Sequence, residues 1–228
     1  MPEPVAVTVY SSARATAAFV LAHGAGAGQS SPFITRFARG LVERNVSVAT
    51  FDFPYMAARR KVPDKAAVLE ECWRGAIDSA RSQIPQVPLF IGGKSMGGRI
   101  ASQVAAGEHA RIAGLVFLGY PLHPPGKPEQ RRDAHLPAIT EPMLFIQGTR
   151  DAFGSSQEIR DLIPHLQRAE IHEVAGGDHS FKVPGGAGAK QDAVITEVMD
   201  VVARWIEANA KGRSGPGFRT SGTVQQRR

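Results

Sequence analysis

The sequence predicts an α/β fold, a mostly parallel sheet of about seven strands with helices on both faces. Three observations carry this. Short β-rich runs alternate with longer helical patterns along the whole chain. Several of the short runs (Phe90-Ile91, Val116-Phe117-Leu118, Leu144-Phe145-Ile146) are continuously apolar, as strands covered on both faces must be. With 228 residues, 43% of them hydrophobic, the chain can bury one sizeable core.

In chain order, strands are expected at residues 5–10, 18–22, 46–53, 89–92, 115–119, 143–147 and 170–174. Helices fill the gaps. The first, over residues 32–44, has Ser31 at the N-cap position, Pro32 at its first position, and Phe33, Phe37 and Leu41 on one face. The second, residues 66–83, carries an apolar stripe of Leu69, Cys72, Trp73, Ala76 and Ile77. Helices at 96–106 and 156–166 follow. The last, 191–208, places Val194, Val198, Val201, Val202 and Trp205 at helical spacing, a stripe that packs on the sheet. One domain is expected over residues 1–210. Residues 211–228, rich in Gly, Ser and Arg and without apolar period, read as a flexible basic tail.

Composition narrows the function classes. The net charge is +6, but Lys211, Arg213, Arg219, Arg227 and Arg228 fall in the last eighteen positions with no acid among them. The folded part is therefore nearly neutral, and no nucleic-acid partner is expected. The single cysteine, Cys72, excludes an internal disulfide and suits a reducing compartment, so a cytoplasmic protein is expected. No run is long and apolar enough for a membrane span. No His, Cys, Asp and Glu cluster has metal-ligand spacing, so neither a metal nor another cofactor is implied.

The chemistry concentrates in Gly93-Lys94-Ser95-Met96-Gly97. This G-x-S-x-G follows an apolar run and opens a helical one, the strand–turn–helix setting of a nucleophile elbow. A serine at so sharp a turn stands clear of the sheet, and the flanking glycines remove clashing Cβ atoms. Two more signals follow later strands: Gly148-Thr149-Arg150-Asp151 and Gly176-Gly177-Asp178-His179. In a parallel sheet all three sites lie at the carboxyl ends of strands, where distant residues meet on one edge. The expected catalytic residues are Ser95, Asp151 and His179, as nucleophile, orienting acid and general base. Asp178 is a rival acid, but a sequence neighbour points away from the ring more often than it orients it. His172, on a strand, reads as structural.

The loop Leu21-Ala22-His23-Gly24-Ala25-Gly26-Ala27-Gly28 follows the second strand and lets backbone N–H groups approach a ligand closely. The N–H groups of Ala25 and Met96 are the expected oxyanion hole. The loop lacks both the G-K-[ST] ending of a P-loop and the G-x-G-x-x-G fingerprint. His23, Tyr55, Tyr120, Leu122 and Phe153, with Phe53, Met56 and Met96, are expected to wall an apolar pocket. Arg59, Arg60 and Lys61 could meet an acidic substrate, though a solvated charge run is the better reading.

Together these motifs resemble the α/β-hydrolase superfamily over about residues 5–208. Gly92 to Arg99, Phe51-Asp52-Phe53-Pro54-Tyr55 and Gly119-Tyr120-Pro121-Leu122 are similar to a group of small hydrolase-like proteins. The eukaryotic relatives of that group include a subunit of a histone-acetyltransferase complex. The chain also resembles the dienelactone-hydrolase-like group in size, but has Ser95 where dienelactone hydrolase has a cysteine. The resemblance implies a mostly parallel sheet with one antiparallel strand. Only about twenty residues separate the strand ending at Gly119 from the one opening at Met143, too few for a helical cap domain. The expectation is a capless serine hydrolase of carboxylic esters with a small-molecule ester as its partner. A thioesterase or peptidase using the same residues, or a non-catalytic interaction module, are the alternatives.

Overall fold

In the computed structural model, residues 4–84, 86–107 and 111–211 are described. Seven strands form one sheet: β1 (Thr8–Tyr10), β2 (Ala17–Ala22), β3 (Val46–Phe51), β4 (Leu89–Lys94), β5 (Gly114–Leu118), β6 (Met143–Gly148) and β7 (Ala169–Val174). Their order is β1-β3-β2-β4-β5-β6-β7, with β1 antiparallel to β3 and every other pairing parallel. The helices are α1 (Pro32–Val42), α2 (Pro54–Ala57), α3 (Ala66–Gln83), α4 (Met96–Gly107), α5 (Ser156–Leu162) and α6 (Ala189–Lys211).

Side chains alternate across the pleat, so each buried strand feeds two cores. Phe19 and Leu21 of β2 join Phe37 and Leu41 of α1 and Val198, Val202 and Trp205 of α6 on one face. Ala18, Val20 and Ala22 of the same strand join Trp73 and Ala76 of α3 and Ile100 and Val104 of α4 on the other. This double cover is why β2, β4 and β5 are apolar runs rather than alternating ones.

Several boundaries differ from the sequence reading, each for a local reason. β1 begins at Thr8 rather than residue 5, because Val5 packs against the Gly75 position of α3. β3 ends at Phe51 because the Phe53 N–H turns to His23 Nε2 (3.2 Å) and leaves the ladder. α5 stops at Leu162, where Pro164 allows only a 3-10 turn over Ile163–His165. Its start is a capping box between Ser155 and Glu158. Ser31 holds the N-cap position of α1, but its hydroxyl makes no capping bond.

Between β5 and β6 lies one 3-10 turn, Leu136–Ala138, and no cap domain. Among the described residues no helix is long and apolar enough to cross a membrane. The tail expected over residues 211–228 lies, apart from Lys211 at the end of α6, outside the described residues.

Candidate active site

Ser95 is the single residue between β4 and α4, and its φ is +51°. For a residue with a Cβ this left-handed conformation is held only when the surroundings impose it. They do so by close approach. A Cβ on Gly97 would stand 2.6 Å from the His23 carbonyl oxygen, so only glycine lets α4 start this near β2. Trp73 Nε1 donates to the Gly97 carbonyl (3.1 Å), and the Ser95 N–H donates to Leu118 O (3.1 Å).

Asp151 and His179 come from the loops after β6 and β7. Thr149 N–H to Val174 O (3.1 Å) and Arg150 N–H to Gly177 O (2.9 Å) stitch those loops together. The result is a hydrogen-bonded row. His179 Nδ1 donates to Asp151 Oδ2 at 2.7 Å, and the Ser95 hydroxyl lies 2.8 Å from His179 Nε2. Asp151 is 4% exposed, and its other oxygen accepts the Phe153 N–H at 2.8 Å. The Phe153 ring packs on the imidazole with centroids 4.3 Å apart. Asp178 is occupied elsewhere: its Oδ1 accepts the N–H groups of Ser180 (2.7 Å) and Lys182 (2.9 Å), shaping the turn that presents His179.

Gln147 was not singled out by the sequence and belongs to this site. Fully buried at the end of β6, its Nε2 reaches Asp151 Oδ2 (3.0 Å) and Gly154 O (2.6 Å), while its Oε1 accepts the Tyr120 N–H (2.8 Å). It ties Asp151 to the loop after β5. The available signal was an amide closing the apolar run of β6, four positions before Asp151.

The N–H groups of Ala25 and Met96 donate to no group among the described residues, and both residues line the cleft beside Ser95. Met96 is the first residue of α4, where the helix dipole is positive. The Ala25 loop is braced from behind. His23 Nδ1 donates to Gly24 O (2.8 Å), and the Tyr55 hydroxyl accepts the Gly26 N–H (3.2 Å). Burial holds the His23 pKa below its ordinary value, which suits the neutral ring whose Nε2 accepts from Phe53.

The cleft has a volume of about 730 Å³ and includes Ser95, His179, Met96 and Phe153 in its walls. His23, Tyr55, Tyr120 and Leu122, expected in that wall, are instead core residues no more than 1% exposed behind it. Phe53 is likewise fully buried. Their loops turn inward after the strands, because large apolar side chains gain most by full burial. The true walls include the Pro32-Phe33-Ile34 start of α1 and the segment before α3. Arg59, Arg60 and Lys61 are exposed and line no part of the cleft, and Arg60 pairs with Asp64 at 2.6 Å.

Lys94 lies beneath the site. Its Nζ is sealed without a hydrogen-bond partner, 5.7 Å from the centre of the Phe181 ring and close over Gly119. Burial lowers its pKa to about 8, although the Asp151 and Asp178 carboxylates work the other way. Cys72 is buried in α3 with its thiol pushed up to about 12, chiefly by burial, so it is no rival nucleophile near neutral pH. No group of His, Cys, Asp and Glu that could hold a metal occurs among the described residues.

Solved structures share this architecture. Est1E of Butyrivibrio proteoclasticus, with ferulic acid bound, superposes with a TM-score of 0.70 at 12% identity, over 90% of this chain and 96% of that one. XC6422 of Xanthomonas campestris, a serine hydrolase without a lid, gives 0.67 at 20% identity over 88% of each chain. A dienelactone hydrolase of Anabaena variabilis gives 0.69 at 20% identity, over 87% of this chain and 89% of that one. At these identities the likeness is one of fold. The sequence itself goes further, since residues 15–207 match the family described as an alpha/beta hydrolase domain. With that match and an uncapped seven-stranded sheet, the chain belongs to the alpha/beta hydrolase family, in its form without a cap domain.

Proposed function

We propose that the protein is a serine hydrolase that cleaves carboxylic esters through an acyl-enzyme on Ser95. The observation that carries this reading is the row from Asp151 through His179 to the Ser95 hydroxyl, with contacts of 2.7 and 2.8 Å at the wall of an open cleft. A serine hydroxyl is too weak an acid to attack unaided near neutral pH, so a base must take its proton as the bond to carbon forms. His179 Nε2 is in position to do so, while Asp151 fixes the proton on Nδ1 and stabilises the imidazolium. The tetrahedral oxyanion is held by the N–H groups of Ala25 and Met96, each worth about 3 kcal/mol of barrier. His179 then hands its proton to the departing alkoxide, and a water deprotonated by the same imidazole releases the acid. Phe153 and Met96 offer apolar walls suited to an acyl or aromatic group. Est1E holds ferulic acid, an aromatic carboxylic acid, and a carboxylic acid is what ester cleavage here would release.

Labelling with a fluorophosphonate tests the reading. One covalent group is expected, on Ser95, with turnover of short para-nitrophenyl esters abolished in Ser95→Ala. Asp151→Asn should lower kcat by about a thousandfold or more, because the amide can stabilise the wrong tautomer, and Asp178→Asn should cost less than about tenfold. Labelling at another residue, a more damaging Asp178→Asn, or the absence of ester turnover in a panel that includes thioesters would overturn it.

A further inference from the structure

Buried polar atoms without partners are rare in folded proteins, and where they gather they mark a region whose polar groups are not arranged for folding alone. Here four such atoms belong to residues lining the cleft: Ser31 Oγ, Asp64 Oδ2, Lys94 Nζ and Arg99 Nε. Charge gathers there too, since Arg99, Arg132 and Lys182 line the cleft against the single carboxylate of Asp64.

Arg99 and Arg132 stand out within this set. Arg99 lies one helical turn after Ser95, whose carbonyl accepts its N–H at 3.1 Å. Its guanidinium donates to the neutral amide oxygen of Gln103 (3.3 Å) and forms no ion pair among the described residues. The Arg132 side chain has no hydrogen bond or ion pair among them either, its loop being fixed through the backbone by Tyr120 and Leu122. The neighbouring carboxylates are already engaged. Asp133 is held by Arg131, Asp64 by Arg60 (2.6 Å), and Glu70, which also favours the Arg99 charge, lies 3.6 Å from Arg74. Burial first, and the Arg132 charge second, disfavour the charged form of Arg99, yet a guanidinium stays protonated in a protein. Two like charges that act on each other thus lie among the residues lining the cleft, and neither is in an ion pair among the described residues. The fork of an arginine matches a carboxylate with two parallel hydrogen bonds.

We infer that Arg99 and Arg132 form an anion subsite and that the preferred ester carries a free carboxylate. Arg99 follows Ser95 by one turn of α4, so a short dicarboxylic half-ester is the first substrate to try. The identity of the cleaved ester rests on the serine hydrolase reading; the subsite itself does not.

The test compares two substrates of equal length, the mono-para-nitrophenyl ester of glutaric acid and para-nitrophenyl pentanoate, on the full chain. At low salt kcat/KM should favour the anionic ester by about tenfold or more, chiefly through KM, and the preference should shrink as salt is added. Arg99→Gln and Arg132→Gln should each bring the ratio towards one, with melting curves verifying that both variants fold; Arg132, on a loop, serves if the helix variant does not. Equal turnover of the two esters, equal loss on both, or loss of preference only in Lys182→Gln would overturn the assignment. Calorimetry with glutarate provides an arm independent of turnover, with binding expected in the wild type and weakened about tenfold in either arginine variant. Arginine-dependent glutarate binding without any ester hydrolysis would sink the hydrolase reading and leave the subsite standing. Neutral esters hydrolysed without glutarate binding would do the reverse, and binding of inorganic phosphate in place of glutarate would overturn the choice of carboxylate.

Discussion

Lys94 shows how one side chain can set part of the pH dependence of the whole fold. Its stem is half-buried but its Nζ is sealed without a hydrogen-bond partner, and its pKa falls from 10.5 to about 8 because burial penalises the ammonium. Below about pH 8 both folded and unfolded chains carry the proton, so the folded state bears the full penalty. From there up to 10.5 the unfolded chain binds more protons than the folded one, and stability rises with pH through that window. Lys94→Met should therefore stabilise the protein at pH 7 by about 1–2 kcal/mol, discounted for the half-exposed stem. That advantage should fade towards pH 10. Thermal melts of both proteins across this range check it; an advantage that grew with pH would contradict the account. At the same scale, Ser95, Asp151 and His179 were legible because each follows the carboxyl end of a strand, where the fold exposes whatever the chain supplies. Tyr55 and Tyr120 were not, because whether a loop aromatic faces a cleft or the core depends on how the loop bends. Arg99 and Arg132 escaped for another reason: an unpaired charge is visible only once the partners of its neighbours are known.

Among the elements, α4 has the least freedom of position. It must begin within one residue of β4 and press against the β2 loop, which is why Gly97 cannot carry a Cβ: the nearest atoms would be the His23 oxygen at 2.6 Å and Ala22 Cβ at 2.8 Å. Gly97→Ala would push the helix N-terminus outward, at a cost of about 3 kcal/mol. For a chain of this size that is a fall of about 10 °C in Tm, with ester turnover reduced further than folding alone explains. A calorimetric scan with a parallel rate measurement would test this, and an unshifted Tm would show that the backbone relaxes without penalty. The long helices and buried strands were readable because apolar period and continuous apolar runs follow directly from which faces are covered. The four-residue α2 and the 3-10 turn Leu136–Ala138 were not, since a single turn has no period to detect.

For the molecule as a whole, burial runs from the middle of the sheet outward. Every residue of β2 and β5 is buried, whereas β1 is a three-residue edge strand and β7 is buried only at Val174. Local opening should follow the same gradient. In hydrogen exchange the amides of Val20, Ile91 and Val116 should exchange slowest, through global unfolding, and those of Thr8–Tyr10 faster by orders of magnitude. Equal protection at β1 would mean that the edge is covered by something outside the sheet. The family and the absence of a cap were readable at this scale from motif order and from the short connection between β5 and β6. The shape of the cleft was not, because its walls are assembled from α1, the segment before α3 and the loops after β5 and β6.

The order of the site residues along the chain has a consequence for synthesis. Ribosomes deliver the N-terminal part first. The elbow and the Ala25 loop are complete once α4 has emerged, yet His179 arrives more than eighty positions after Ser95, on the loop that precedes α6. A nascent or truncated chain ending before β7 would hold a strained serine with nothing to take its proton. On the proposed mechanism the chain would thus stay chemically silent while its sheet edge is open and sticky, and Ser95 would gain its base only when the last strand docks and the loops after β6 and β7 are joined.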